Sequence, residues 1–363
     1  MLIYYIITVF SMLLMLFTEK VQKRKYHPML GSYSINNRKK GYLYIVPFIP
    51  LFLLSSLRYG IGTDYFHTYY PTFYRIKNGI YVDVGFEPAF FYLNKIIALF
   101  SEDVTWVLAT CALIFFIFAG LSIIQQSDDP VFSLGLLFGI GLFSYSLNGV
   151  RQSIVIAVWL FSLRFVREKR LFPFIVCIIA SCFFHASAII LIPFYFVFQK
   201  KVNPLVCVSA VLSTIVFSNL IKKIILYFAG FTKYLDKFNG SHLLEGNFAY
   251  SEFLVSFGIL LYLLLLYKIL YKSWKYNFLL ISTTIACVCA VITHNMYIIA
   301  RISVFFRFVP LLYLPSTLQA FKGKRNRRIV MFVLLIAYFL SIGFMIGYIG
   351  SGESVPYQSI FQR

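Results

Sequence analysis

Arg58-Tyr-Gly-Ile-Gly-Thr-Asp64-Tyr65 brings an arginine, an aspartate and two glycines together directly after an almost wholly apolar segment, Gly41–Leu57. Charge at the edge of an apolar run is costly unless it has partners or work to do. The polar stretch that begins there runs to Glu87. Later, Asn148-Gly-Val-Arg151-Gln152-Ser153 separates two apolar runs, and His185 stands alone in Cys-Phe-Phe-His-Ala-Ser-Ala. His294 and Asn295 close another run, and Arg301 and Arg307 lie in the next. Arginines flanked by the amides of Asn148 and Gln152 offer the fixed donor array that diphosphate oxygens need. Asp64, Glu87 and His185 are candidates for taking a proton from a hydroxyl. Structural readings stand beside these. Arg151 could snorkel to headgroups, Asp64 or Glu87 could simply pair with Arg58, and His185 or His294 could be satisfied core histidines. Arg301 and Arg307 are six apart, about 240° around a helix, so they do not share a face. Arg301 and His294 are seven apart and share one if the helix runs through both. Arg307, deeper in its run, must pair with a carboxylate, a carbonyl or a bound anion. His27 and His242 look like ordinary loop residues.

Other chemistries lack their residues. There is no Walker lysine, dinucleotide fingerprint, nucleophile elbow or His-Glu-x-x-His zinc motif. Asp-x-Asp spacing, common where a metal holds a nucleotide sugar, is missing too. A site without metal or cofactor is therefore expected. The six cysteines (Cys111, Cys177, Cys182, Cys207, Cys287, Cys289) lie inside apolar runs, where disulfides are not expected, and are assigned to packing.

The elements that must position these groups are transmembrane helices. The chain has 363 residues, of which 60% are hydrophobic and 13% charged; a soluble domain carries about 25% charge. Apolar runs of roughly 17 residues or more recur throughout, and the period-2 signature of a membrane barrel is absent. The fold class is all-α: one polytopic membrane domain over residues 1–363, with about 10–13 transmembrane helices including short or re-entrant segments. The first run lacks a basic leader and a cleavage site, which predicts a retained helix and not a signal peptide.

A net charge of +20 would suggest nucleic acid for a soluble protein. Here no nucleic acid is expected, because the basic residues cluster in short loops, as the positive-inside rule requires. Threading by charge runs alone puts the basic loops 18–40 and 322–328 in the cytoplasm and the loops 58–87 and 222–252 outside. It gives Glu87–Phe100 as a re-entrant or interfacial helix and Leu171–Gln199 as a tight hairpin with His185 near its outer tip. It places 21 of the 33 Lys and Arg in the cytoplasm. Arg58, Asp64, Glu87, Arg151, His185, His294 and Arg301 then all fall toward the outer side. Aromatic residues make up 20% of the chain; most suit lipid and interface, and a minority of tyrosines suits sugar stacking in a groove.

With these residues in place, the chain resembles the EpsG family of polysaccharide polymerases, a branch of the Wzy-type O-antigen and exopolysaccharide polymerases. The resemblance lies in Arg58-Tyr-Gly-Ile-Gly-Thr-Asp64-Tyr65, Phe86-Glu87-Pro88, Asn148-Gly-Val-Arg151-Gln152-Ser153, Phe184-His185-Ala-Ser187-Ala and Val355-Pro356-Tyr357, in the family's order. It implies a bacterial plasma-membrane glycosyltransferase with an outward-facing, metal-independent site. Such an enzyme moves a growing glycan from undecaprenyl diphosphate onto a new lipid-linked unit. Undecaprenyl-diphosphate-linked oligosaccharide and membrane lipids are the expected partners, with a chain-length regulator expected from the resemblance alone. In this reading Arg151 and Arg301 hold the diphosphate, Arg58 or Arg307 assist, and His185, Asp64 or Glu87 is the base. A flippase of lipid-linked sugars and an O-antigen ligase-like transferase are the alternatives. The flippase would show midplane charges and repeated halves, neither of which is clear.

Overall fold

The computed structural model describes residues 1–25, 42–80, 87–229 and 250–362. In chain order the helices are α1 (Leu2–Lys25), α2 (Ile49–Ser56), α3 (Tyr70–Lys77), α4 (Pro88–Ala98), α5 (Thr105–Gln126), α6 (Pro130–Gly139), α7 (Leu142–Asn148), α8 (Val150–Arg167), α9 (Leu171–Cys182), α10 (Phe194–Val197), α11 (Pro204–Ala229), α12 (Tyr250–Leu270), α13 (Trp274–Thr293), α14 (Ala300–Arg307), α15 (Pro310–Tyr313) and α16 (Lys324–Gly343). Among the described residues there is no strand, and a single isolated bridge joins Arg58 to Ser359. Seven helical stretches are long and apolar enough to cross a membrane, and α6 with α7, bent by 49°, forms an eighth if it crosses as one. With three shorter apolar stretches, Tyr42–Ser56, Leu171–Cys182 and Ala186–Val197, these fall within the expected number.

Local sequence explains the breaks. Asp129 caps α6, its carboxylate accepting the Phe132 N–H at 2.9 Å, and Pro130 opens the helix where a missing N–H costs nothing. Gly141, at φ 85°, ends α6 and turns the chain into α7. Tyr42–Phe48 is 3₁₀ and continues into α2; at about 2 Å rise per residue for the 3₁₀ part, this short stretch still reaches about 26 Å.

At the centre, α8 packs along α5 on one side and α9 on the other. Trp159 of α8 is fully buried and donates its indole N–H to the Phe305 carbonyl at 2.8 Å, tying α8 to α14. From Arg151 to Arg167, α8 spans about 24 Å, and it separates two polar ends. One end carries Lys275 paired with Asp128, Gln319 bonded to Asp128, Arg164 on Gln125, and Asn277 on the Lys200 carbonyl. The other carries the 57–65 turn, the α7–α8 junction, the 183–185 turn, the start of α12, the α13–α14 break and the C-terminal tail. The tail is laced to the turn: Tyr59 N–H donates to the Gln358 carbonyl, Gly62 N–H to the Glu353 carbonyl, and the Tyr357 hydroxyl to the Leu54 carbonyl.

Several boundaries differ from expectation. The loops expected at 18–40 and 222–252 are helical in part, because α1 runs to Lys25, α11 to Ala229 and α12 begins at Tyr250; their centres, with His27 and His242, lie outside the described residues. Glu87–Phe100 contains the 11-residue α4. The Leu171–Gln199 hairpin is α9 going out and a 3₁₀ stretch, Ala186–Leu191, with α10 returning, and His185 sits at its tip. Helix does not run from His294 to Arg301, which lie in successive helices as the threading places them. α13 ends at Thr293, and Met296 is extended before the chain resumes, so the two residues do not share a helical face.

Candidate functional site

The site end is organised by Glu87, the residue that precedes α4 in extended conformation. One carboxylate oxygen takes Arg151 Nη1 at 2.5 Å. The other takes His185 Nδ1 at 2.9 Å and the Ala186 N–H at 3.0 Å. Three distant parts of the chain meet here: the start of α4, the first turn of α8 and the tip of the 171–199 hairpin. Burial alone would raise the Glu87 carboxyl, but the hydrogen bonds from His185 and Ala186 and the charge of Arg151 win and hold it down at about 2. An ionised carboxylate only accepts, so His185 donates through Nδ1–H and its Nε2 is left as the proton-accepting nitrogen. Phe90, fully buried one turn into α4, lies 5.6 Å from the Arg151 guanidinium and supports it from the apolar side.

Asn148, the last residue of α7, is a linker within the protein. Its side-chain oxygen accepts the Thr63 hydroxyl and the Asp64 backbone N–H, both at 2.9 Å. Its carbonyl accepts the Tyr69 hydroxyl at 2.7 Å, and that hydroxyl accepts the Val150 N–H at 3.0 Å. The 62–64 turn is thereby fixed against the start of α8. Asp64 feels the charges of Arg151 and Arg301, yet burial is the larger influence and pushes its carboxyl above its ordinary value. Gln152 donates to the Arg301 carbonyl at 2.6 Å and accepts the Tyr145 hydroxyl at 2.7 Å. The first turn of α8 thus carries the base of α14.

Glu87, Arg151, His185, Asn148, Asp64, Gln152 and Arg301 are therefore brought together. Arg301 is exposed at the start of α14, with no ion-pair partner among the described residues. Arg307 stands one step away in a cavity of about 380 Å³. Its guanidinium pairs with Glu252 of α12 and lies 5.8 Å from the Tyr145 ring. Two expected residues lie apart. Arg58 is 1% exposed beneath the α7–α8 junction, donating to the Ser55 carbonyl at 2.6 Å, and lines a small internal void with Cys111, Ser146 and Ser153. It cannot reach a substrate in the polar groove because protein surrounds it. His294 is exposed at the end of α13 and is not part of the Glu87 cluster.

Sequence reasoning missed Glu252 and Tyr145 as site residues. Glu252 is an acid in the first turn of an apolar helix, as helix-dipole stabilisation alone would place it. The signal that could have found it is Arg307, a half-buried charge inside an apolar run that calls for a carboxylate. Among the described residues no three His, Cys, Asp or Glu side chains converge as a metal site would require.

The model of the EpsG family matches residues 41–359, and the chain belongs to that family, whose members are Wzy-type polysaccharide polymerases. No curated protein and no solved structure matches the chain.

Proposed function

We propose that this EpsG-family chain joins lipid-linked oligosaccharide repeat units at the outer face of a bacterial plasma membrane, moving the growing glycan from a polyprenyl diphosphate to a hydroxyl of the next unit. The observation that carries this reading is the Glu87 cluster, in which one carboxylate holds a guanidinium with one oxygen and an imidazole with the other. Arg151 and Arg301 bind the diphosphate, with Gln152 fixing the α14 turn that presents Arg301. His185 Nε2 takes the proton from the attacking hydroxyl. The hydroxyl oxygen bonds to the anomeric carbon, the bond from that carbon to the diphosphate oxygen breaks, and the electron pair leaves with the diphosphate. Arginines placed where that charge develops stabilise the transition state more than the ground state. Glu87 is a poor base, since its carboxyl is held near 2 and both oxygens are engaged; it positions the other two. Asp64, with its carboxyl raised, is the second candidate for the proton.

The test is the length distribution of surface glycan in cells whose only copy is Arg151→Ala, with the protein checked in the membrane fraction. A single repeat unit with the ladder gone is expected. A normal ladder from a well-inserted Arg151→Ala protein would refute the assignment. Loss of every unit, with lipid-linked intermediates held inside, would identify a flippase instead.

A further inference from the structure

The cavity of about 380 Å³ between α7, α12 and α16 is lined by Tyr145, Glu252, Tyr297, Arg307 and Ser341 and is not used by the chemistry above. Its size falls in the roughly 300–1,000 Å³ range of small-molecule sites. The Glu252–Arg307 pair faces it with two open positions. Glu252 Oε2 and Arg307 Nε are both buried without a hydrogen-bond partner among the described residues. The first can only accept and the second can only donate. Leaving both open costs free energy that a ligand bearing a donor and an acceptor side by side would recover. The two charges cancel, so the site does not select an ion. Neighbouring hydroxyls on a sugar ring supply such a pair, and the Tyr145 and Tyr297 rings supply apolar faces. Tyr145 also connects the cavity to the Glu87 cluster, since its hydroxyl donates to Gln152, which holds the Arg301 carbonyl.

We propose that this cavity is a subsite for a neutral sugar ring of the repeat unit, gripped through two neighbouring hydroxyls, one donating to Glu252 and one accepting from Arg307. The proposal rests on the polymerase reading for the identity of the sugar's source. It makes Glu252 and Arg307 specificity residues and leaves the reacting groups at Arg151 and His185.

The experiment uses the full chain purified in detergent, titrated calorimetrically with the lipid-free oligosaccharide released by mild acid from the host cell's surface polymer. Wild-type protein should bind. Glu252→Gln should weaken binding at least tenfold, because Oε2 becomes an amide nitrogen or the amide turns and loses Arg307. Ser341→Phe, which fills the cavity from α16, should abolish binding, with unfolding temperature reported for each variant. Arg151→Ala should keep oligosaccharide binding while losing the polymer ladder. Absence of wild-type binding, or equal binding by Glu252→Gln and Ser341→Phe, overturns the subsite and leaves the polymerase reading standing. A normal ladder in cells that lack the protein, with binding still lost in Glu252→Gln, overturns the polymerase reading and leaves the sugar subsite standing.

Discussion

Glu87 and Asp64 are carboxylates of the same polar end with opposite electrostatic histories. Glu87 sits outside the membrane spans with its carboxyl at about 2, against an ordinary 4.5. Its ionised form therefore stabilises the fold fully above the ordinary value, and that stabilisation is lost as pH falls toward 2. Glu87→Gln should lower stability by about 1–3 kcal/mol at pH 6, and the gap to wild type should narrow at pH 3 without closing; thermal unfolding in detergent at both values checks this. The same variant should cost roughly 10–100-fold in polymerisation, the range for groups that orient a reacting side chain. Asp64 runs the other way, because its raised carboxyl makes the ionised form the costly one. Asp64→Asn should gain stability relative to wild type as pH rises past the ordinary carboxylate value, measured in the same unfolding series. At this scale the sequence showed which residue types were out of place in apolar surroundings. It did not show which faced one another. Glu87, Arg151 and His185 were legible as an odd set because each interrupts an apolar run, whereas Arg58 met the same criterion and is buried under α7 and α8. Spacing along the chain carries no information about the depth at which a helix ends, and that depth separates Arg58 from the others.

Short and broken elements do the positioning. The 171–199 hairpin is too short for two full crossings, so its tip brings His185 down to Glu87 without reaching across a full span. α7 ends at Asn148, where its side chain holds the 62–64 turn and its carbonyl accepts the Tyr69 hydroxyl. Gly62 makes that contact feasible. It has φ +93°, and a β-carbon there would lie 2.9 Å from the Leu147 carbonyl oxygen. Gly62→Ala should therefore cost about 1–3 kcal/mol and detach Asp64 from Asn148, lowering polymerisation while membrane insertion is unchanged; unfolding temperature and ladder length on the same preparation read both effects. The hairpin and the α7–α8 junction were visible in the sequence, one from basic residues at both ends of an odd length and the other from Asn148-Gly149 between apolar runs, whereas the bend at Gly141 falls inside Val131–Leu147, which reads as one apolar run. The break between α13 and α14 was visible too, from His294 and Asn295 at the end of one apolar run and Arg301 at the start of the next, although residues 294–299 contain no proline or glycine to fix its edge.

Across the whole molecule, charge and contact agree on two ends. The cytoplasm-assigned basic residues at 164–170, 200–201, 272–275 and 322–328 gather at one end of α8, and the Glu87 cluster, the sugar-sized cavity and the C-terminal tail gather at the other. The tail touches both the 57–62 turn and α1, where the Tyr4 hydroxyl donates to the Ser354 carbonyl at 2.7 Å. These contacts tie both termini to the site end. The proposed function needs the site end to face outward, where flipped, lipid-linked substrate and its diphosphate would be found, and the positive-inside rule supports that orientation. Two exposed residues at opposite ends report this directly: Gln358 in the tail and Asn326 at the start of α16. In intact cells a membrane-impermeant maleimide should label Gln358→Cys and spare Asn326→Cys, and permeabilisation should expose the second. The native cysteines are all unpaired and lie in apolar helices, so their background is low and a cysteine-free parent is a simple control. The reverse pattern would place the Glu87 cluster in the cytoplasm. The reaction would then have to use units before they are flipped, and an arginine-lined diphosphate site would serve an earlier transfer in glycan assembly. Labelling thus decides between two positions in the same pathway without requiring the substrate to be identified.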